Sequence, residues 1–350
     1  MSSRWLHPGA WWVWALGLGA AATRTTNPLL LGLIAAVATL VVMARRPQAQ
    51  WARAFSVFVR LALFAIVIRI LFGIVFGLRV GTTTLFTLPS IGLPEWMAGV
   101  TIGGVVTAEM VAIAFIQGAQ LAVLLICVGA ANSLASPVRL LKALPAGLYH
   151  VGVAAVVALS LAPRIMINVR RVMQARRLRG RPTRGLRAMS EAAVPVLESS
   201  LDDAINLAAA MDTRGYGRTT AVRPGERALQ ATLVLAGLVG IALGLFAVLG
   251  ASGWGWALLV IGMALAVGGI LVAGRWTART RYRPDPWRWP ETLAAGTGVL
   301  AGAAVLLSAT GTITVPLTWP TLPLLATTAV LAAALPATFT PPPPMPWSTA

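Results

Sequence analysis

The chain has 350 residues, of which 57% are apolar and only 11% are charged, and its formal net charge is +18. Soluble domains carry about 25% charged residues, so this composition excludes an ordinary soluble protein and indicates a polytopic membrane protein. The basic residues lie in short segments between apolar runs, as cytoplasmic loops do, and this distribution argues against a nucleic-acid-binding module.

Apolar runs near the length of a spanning helix, about 20 residues, occur along the whole chain. They predict an all-α polytopic membrane protein of about eight transmembrane helices, with both termini in the cytoplasm. An Asn27-Pro28 turn separates the first two runs, because Asn-Pro is a turn signal. The predicted spans are residues 8–22, 28–44, 55–78, 102–131, 228–250, 254–274, 293–307 and 322–335.

Ionisable residues are rare inside these spans, which argues against an ion-coupled carrier. Arg69 lies in the middle of the third run and Glu109 near the start of the fourth. Two interpretations of Arg69 stay open. It makes an ion pair or a partner contact, with Glu109 as the candidate acid, or the span is shifted and Arg69 lies near an interface.

The apolar segment 148–162 has basic residues on both sides. A single crossing would place the arginines of 164–187 outside the cell, against the usual charge bias. We therefore expect this segment to be shallow, re-entrant or buried. The predicted organisation is transmembrane helices at 1–135, a cytoplasmic helical coupling insert at 136–220, further transmembrane helices at 221–340 and a Pro-rich tail at 341–350.

Two polar helices are predicted in the insert. The first begins near Pro163 and stops at Gly180, because glycine is the commonest residue after a helix end. The second covers about 189–214, with a kink or restart at Pro195, and stops at Gly215. One face of the second helix is apolar and consists of Leu197, Leu201, Ile205 and Ala208.

Residues that would indicate catalysis or metal binding are few and scattered. The two histidines, His7 and His150, lie far apart, and the one cysteine, Cys127, lies in an apolar run. No Ser-His-Asp grouping, metal-ligand spacing or Gly-rich phosphate loop is present in the sequence. We therefore expect a non-enzymatic protein without a cofactor or a metal site.

Several short motifs together resemble a known family, the transmembrane T component (EcfT/CbiQ) of energy-coupling factor ABC transporters. They cover about the first two-thirds of the chain, and the last is the most specific. The motifs are Leu6-His7-Pro8, Asn27-Pro28-Leu29-Leu30, Ser136-Pro137 to Leu144, Leu161-Ala162-Pro163-Arg164, residues 174–180 and Ala210-Met211-Asp212-Thr213-Arg214-Gly215-Tyr216.

The resemblance implies a scaffold that links two ABC ATPase subunits (EcfA type) to a membrane S component, which captures a vitamin or a metal ion. The family's two Ala-Arg-Gly motifs correspond to Arg179-Gly180 and Arg214-Gly215, with Leu178 and Thr213 in place of alanine. In the first motif Arg176 or Arg177 could substitute for Arg179. The candidate ATPase-docking residues are Arg176, Arg177, Arg179, Gly180, Ala210, Arg214, Gly215 and Tyr216.

Other interpretations stay open at this point. The arginines could stabilise their own helix ends or attract anionic lipids of the bilayer. The protein could also be a stand-alone secondary transporter, or a membrane-anchored regulatory protein that binds lipid through its basic loop. The resemblance implies a multi-pass protein of the bacterial plasma membrane, and the chain after Trp254 has no recognised family motif.

Overall fold

A computed structural model describes residues 4–47, 54–76, 81–89, 91–92, 101–143, 148–180, 185–216, 224–250, 253–275, 285–308 and 320–343. The described part is mainly helical. Its helices are α1 (Pro8–Arg24), α2 (Pro28–Arg45), α3 (Phe55–Phe76), α4 (Ala108–Leu134), α5 (Pro137–Lys142), α6 (Tyr149–Leu178), α7 (Leu186–Thr213), α8 (Pro224–Leu249), α9 (Gly255–Arg275), α10 (Trp289–Leu307), α11 (Leu324–Ala332) and α12 (Pro336–Phe339). Its strands are β1 (Thr84–Thr87), β2 (Ile91–Gly92), β3 (Thr101–Ile102) and β4 (Val105–Thr107).

Seven helices in the described part are long and apolar enough to cross a membrane, and they confirm the predicted all-α polytopic fold. Six of them are predicted spans, and the seventh is α6. At the two ends of the chain, α1 has 17 residues and the apolar segment Leu324–Phe339 is also short. The exact number of spans therefore stays a prediction.

The chain folds into two compact units, and the first unit contains both the N-terminal and the C-terminal parts of the chain. This first unit comprises Met1–Leu140 and Pro284–Ala350, and the second unit comprises Leu141–Arg283. The core of the first unit is built around α1, where Trp14 and Leu18 have no exposed surface. The Trp14 Nε1 donates a hydrogen bond to the carbonyl oxygen of Ala333 at 3.0 Å.

The turn between α1 and α2 confirms the Asn27-Pro28 prediction. The Asn27 Oδ1 accepts hydrogen bonds from the backbone N–H groups of Leu29 and Leu30, and so caps α2. The Asn27 Nδ2 also donates to the carbonyl oxygen of Thr321 at 2.7 Å. The side chain of Asn27 therefore caps α2 and also connects this turn to the segment at Thr321 by a hydrogen bond.

The α3–α4 pair explains how a charged residue is accommodated in the third predicted span. Arg69 donates a hydrogen bond to the Oε1 of Gln117. Glu109 lies about two turns earlier on α4 and accepts hydrogen bonds from the backbone and hydroxyl of Thr83. The suggested Arg69–Glu109 ion pair is therefore wrong, because an amide at Gln117 lies nearer to the guanidinium. The segment before α4 contains antiparallel pairs, β1 with β4 and β2 with β3.

In the second unit, α8 and α9 form a closely packed pair in which glycines let the backbones approach. A Cβ atom at Gly240 would lie 2.9 Å from the Cα of Gly262, and one at Gly244 would lie 2.6 Å from the backbone nitrogen of Leu259. Small residues at such positions are typical of closely packed membrane helices.

The start of α6 differs from the prediction. Helix α6 runs without interruption from Tyr149 to Leu178, with Pro163 in its interior, so the expectation of a helix that begins near Pro163 is wrong. Proline removes one backbone donor from a helix but does not prevent its continuation, particularly in apolar helices. The apolar segment 148–162 and the basic residues after it therefore belong to one rod. Whether the apolar half crosses the bilayer stays a prediction.

Candidate functional site

Helices α6 and α7 form an antiparallel pair. The Arg176 Nη2 of α6 lies 2.7 Å from the Oε2 of Glu191 on α7, and the Nδ2 of Asn168 donates to the Oδ2 of Asp203 at 3.3 Å. Residue numbers rise along one helix as they fall along the other, so the start of α7 lies beside the end of α6. Ala192 and Val196 are buried on α7.

The end of α6 is the first predicted docking point. Arg179 is the C-cap residue, and its backbone N–H bonds to the carbonyl oxygens of Ala175 and Arg176 at 3.2 and 3.1 Å. Gly180 follows with φ +66°, a left-handed conformation that favours glycine. The side chain of Arg179 is exposed. The chain therefore turns away directly after an exposed arginine.

The end of α7 repeats this arrangement. Arg214 is the C-cap residue and is exposed, and Gly215 follows with φ +75°. The backbone N–H of Gly215 donates to the carbonyl oxygen of Asp212 at 2.8 Å, and that of Tyr216 donates to the carbonyl oxygen of Met211 at 3.0 Å. This pair of bonds is a Schellman motif, the expected result of a glycine after a helix end. The Gly stops of both helices are thus confirmed.

Because the helices are antiparallel, the two arginine-tipped ends lie at opposite ends of the pair. Glu191 lies opposite Arg176, and α7 continues from there to Arg214. At a rise of about 1.5 Å per residue, Arg179 and Arg214 are separated by a distance on the order of 30 Å. A globular domain at one tip would therefore leave the other tip accessible to a second domain.

The remaining predicted docking residues differ in their surroundings. Arg177 and Ala210 are exposed, and Tyr216 is half-buried. Arg176 is only 8% exposed, because its guanidinium lies against Glu191. Sequence reasoning missed Glu191. The antiparallel pairing of two adjacent helices could have indicated it, since residues 176 and 191 are nearly equidistant from the connection between them.

The apolar stripe predicted on α7 is exposed. Leu197, Leu201 and Ile205 are 67%, 62% and 58% exposed, and Ala208 is also exposed. The stripe therefore does not pack against α6 within the second unit. Glu198 and Asp202 are exposed beside it. An uncovered stripe of large apolar residues on a helix is typical of a surface that meets lipid or another protein.

The described residues contain no group of three or more His, Cys, Asp or Glu side chains that could hold a metal ion. His7 lies at the start of α1, where its Nδ1 accepts a hydrogen bond from the backbone N–H of Gly9 at 3.2 Å. The chemical features of the α6–α7 pair are exposed arginines and an apolar helix face.

A comparison with family models assigns a match to residues 2–223, and the matching model is described as CbiQ, cobalt transport protein. The match includes α1 to α7, and hence both arginine-tipped helices, and it ends just before α8. A comparison with curated proteins finds no match.

Proposed function

Because the chain belongs to the CbiQ family of cobalt transport proteins, we propose that it is the non-catalytic coupling subunit of an ATP-driven importer of the energy-coupling factor type. In this proposal the multi-pass chain lies in the bacterial plasma membrane with both termini in the cytoplasm. It links two ABC ATPase subunits to a membrane S component, and the complex takes up a metal ion or a vitamin.

The observation that supports this proposal is the pair of exposed arginines at opposite ends of the α6–α7 pair. Each follows the last residue of its helix and precedes a glycine in the left-handed conformation. An arginine presents five N–H donors in a planar fork, which suits carboxylates and carbonyl oxygens in a groove of a partner. One tip for each ATPase subunit gives a scaffold with two equivalent motor contacts.

The exposed stripe on α7 supplies the second half of the proposed linkage. Leu197, Leu201 and Ile205 would contact apolar helices of the S component, while Arg179 and Arg214 contact the ATPases. Movement of the ATPase subunits during ATP hydrolysis would displace the helix ends, and the α6–α7 pair would transmit that displacement to the stripe. The hydrolysis itself belongs to the ATPase partners.

Charge reversal at both tips tests the proposal. We expect Arg179→Glu/Arg214→Glu to abolish co-purification of the ATPase subunits and ATP-dependent uptake, because each fork would become a repelling carboxylate. Arg170→Glu is the matched control, since Arg170 is an exposed arginine within α6 but not at its end. Membrane insertion and monodisperse elution should be unchanged in both variants.

Three results would contradict the proposal. One is a double variant that retains its ATPases and full uptake. A second is uptake by the reconstituted chain alone, driven by an ion gradient and independent of ATP, which would identify a secondary transporter. Salt-sensitive lipid binding without any stable ATPase partner would instead identify a membrane-anchored regulatory protein.

A further inference from the structure

We infer that Arg176 and Glu191 form an ion-pair clamp that sets the angle between α6 and α7, and that Arg176 is a positioning residue and not a docking residue. The inference about docking rests on the proposed function. The clamp itself is a statement about the second unit, and it can be tested without any partner protein.

Burial distinguishes Arg176 from the arginines around it. Its residue is 8% exposed, whereas Arg171, Arg177 and Arg179 on the same helix are exposed. The Arg176 Nη2 lies 2.7 Å from the Oε2 of Glu191, whose side chain is 44% exposed. A buried guanidinium that is engaged by a carboxylate of the same chain is not available to a groove of a second protein. Docking through Arg176 would require breaking this ion pair first.

The position of the ion pair explains what it controls. Arg176 lies less than one helical turn before Arg179, and Glu191 lies in the second turn of α7. The ion pair therefore holds the tip of α6 against the beginning of α7. The Asn168–Asp203 hydrogen bond joins the same helices farther along, about 12 Å away on α6. Two separate contacts fix a crossing angle, whereas one contact alone would allow rotation about it.

A charge-swap experiment tests the clamp. Arg176→Glu places two carboxylates together and Glu191→Arg places two guanidiniums together, whereas Arg176→Glu/Glu191→Arg restores opposite charges. We expect the amount of ATPase subunit that co-purifies with each single variant to fall about tenfold, equivalent to ~1.4 kcal/mol of binding free energy. The double variant should recover most of that loss. Arg177→Glu/Glu191→Arg is the matched control, because Arg177 is adjacent but exposed, and it should show no recovery.

A distance measurement separates the clamp from the docking hypothesis. Leu178 and Thr213 are exposed, so cysteines at these positions can carry spin labels that report the separation of the two helix ends. The buried Cys127 is first replaced by alanine so that it takes up no label. We expect a narrow distance distribution in the parent chain, a broad or shifted one in Arg176→Glu, and a narrow one again in the swap.

The outcomes are distinct. Unchanged label distances in Arg176→Glu, or label distances that are not restored in the swap, would overturn the clamp. Label distances that follow the swap, with ATPase retention unaffected by all variants, would support the clamp and show that docking does not depend on the angle it sets. The docking role of the helix ends is overturned separately, by an Arg179→Glu/Arg214→Glu variant that retains its ATPases. Loss of ATPases in the swap with restored label distances would overturn the inference that Arg176 only positions, because it would show direct docking by Arg176.

Discussion

Glu291 is the residue whose burial is hardest to explain without its partners. It has no exposed surface and lies in the first turn of α10. Its Oε2 lies 2.8 Å from the Arg4 Nη2 and accepts from the backbone N–H of Arg288 at 3.1 Å, and its Oε1 accepts from the backbone N–H of His7 at 3.3 Å. Three donors offset the cost of burying this carboxylate, and removing them would leave a buried polar group unpaired and destabilise the folded protein.

Glu291→Gln should therefore lower the thermal unfolding midpoint, by roughly 5 °C for a loss of about 2 kcal/mol. The amide removes the ion pair with Arg4 and turns an N–H group towards other donors. Asp285→Asn is the control, because Asp285 pairs with Arg139 at 2.6 Å in a partly exposed position, where ion pairs contribute about 0–1 kcal/mol. Equal midpoints for the two variants in detergent would contradict this account.

Single residues also show where sequence reasoning succeeds and where it stops. Gly180 and Gly215 end their helices as predicted, because a left-handed residue after a helix is a local property of the chain. The partners of Arg176 and Glu291 were not predicted, since each contact joins residues that only the tertiary fold brings together. Arg69 is the intermediate case: an intramolecular polar partner was one of two interpretations left open, and Gln117, not the suggested Glu109, provides it.

At the scale of elements, close helix packing depends on glycines at particular positions. A Cβ atom at Gly262 in α9 would lie 2.6 Å from the carbonyl carbon of Gly240 and 2.6 Å from the backbone nitrogen of Ile241. Neither contact can relax by rotating a side chain, because both partners are backbone atoms. A Cβ atom at Gly268 in the same helix would meet nothing within 4 Å.

We expect Gly262→Ala to force α8 and α9 apart and to destabilise the protein by about 1–3 kcal/mol. Gly268→Ala should be neutral or stabilise by up to about 1 kcal/mol, because alanine favours the helix and meets no neighbour. Thermal unfolding in detergent, together with the rate of cross-linking between cysteines placed on α8 and α9, measures both effects. A destabilised Gly268→Ala beside an unaffected Gly262→Ala would show that these backbones are not in contact.

The spacing of apolar residues along a helix indicates which of its faces is apolar, but not what packs against that face. Helix α7 begins at Leu186, near the predicted start at 189, and its apolar stripe lies on one side as expected. The stripe is nevertheless exposed, and the side towards α6 consists of smaller and polar residues, including Ala192 and Asp203. Helix α6 shows a similar limit, because the sequence suggested a helix start near Pro163 and the helix continues through that residue.

The whole first unit is assembled from the two ends of the chain. The family match ends at residue 223, yet α10 packs on α1 and α11 contacts α2. A Cβ atom at Gly298 would collide with the backbone of Trp14, and one at Gly302 would lie 2.9 Å from the carbonyl oxygen of Gly17. Sequence reasoning could not assign this last third to the family, because its link to the family-matched part is a packing contact, between Gly298 and Trp14, and not a sequence motif.

If α10–α12 complete the first unit, their covalent connection to the second unit should be dispensable for assembly. We expect fragments 1–279 and 280–350, co-expressed in membranes, to co-purify through a tag on the shorter one. The reason is that α10 packs on α1 and that Arg4 pairs with the buried Glu291. Gly298→Ala in the short fragment should weaken co-purification, since its methyl group meets the α1 backbone, whereas Gly296→Ala should not, since nothing lies within 4 Å. Independent behaviour of the two fragments, or equal effects of the two alanines, would mean that the C-terminal helices are an appendage and that α1 is stabilised by α2 and α4 alone.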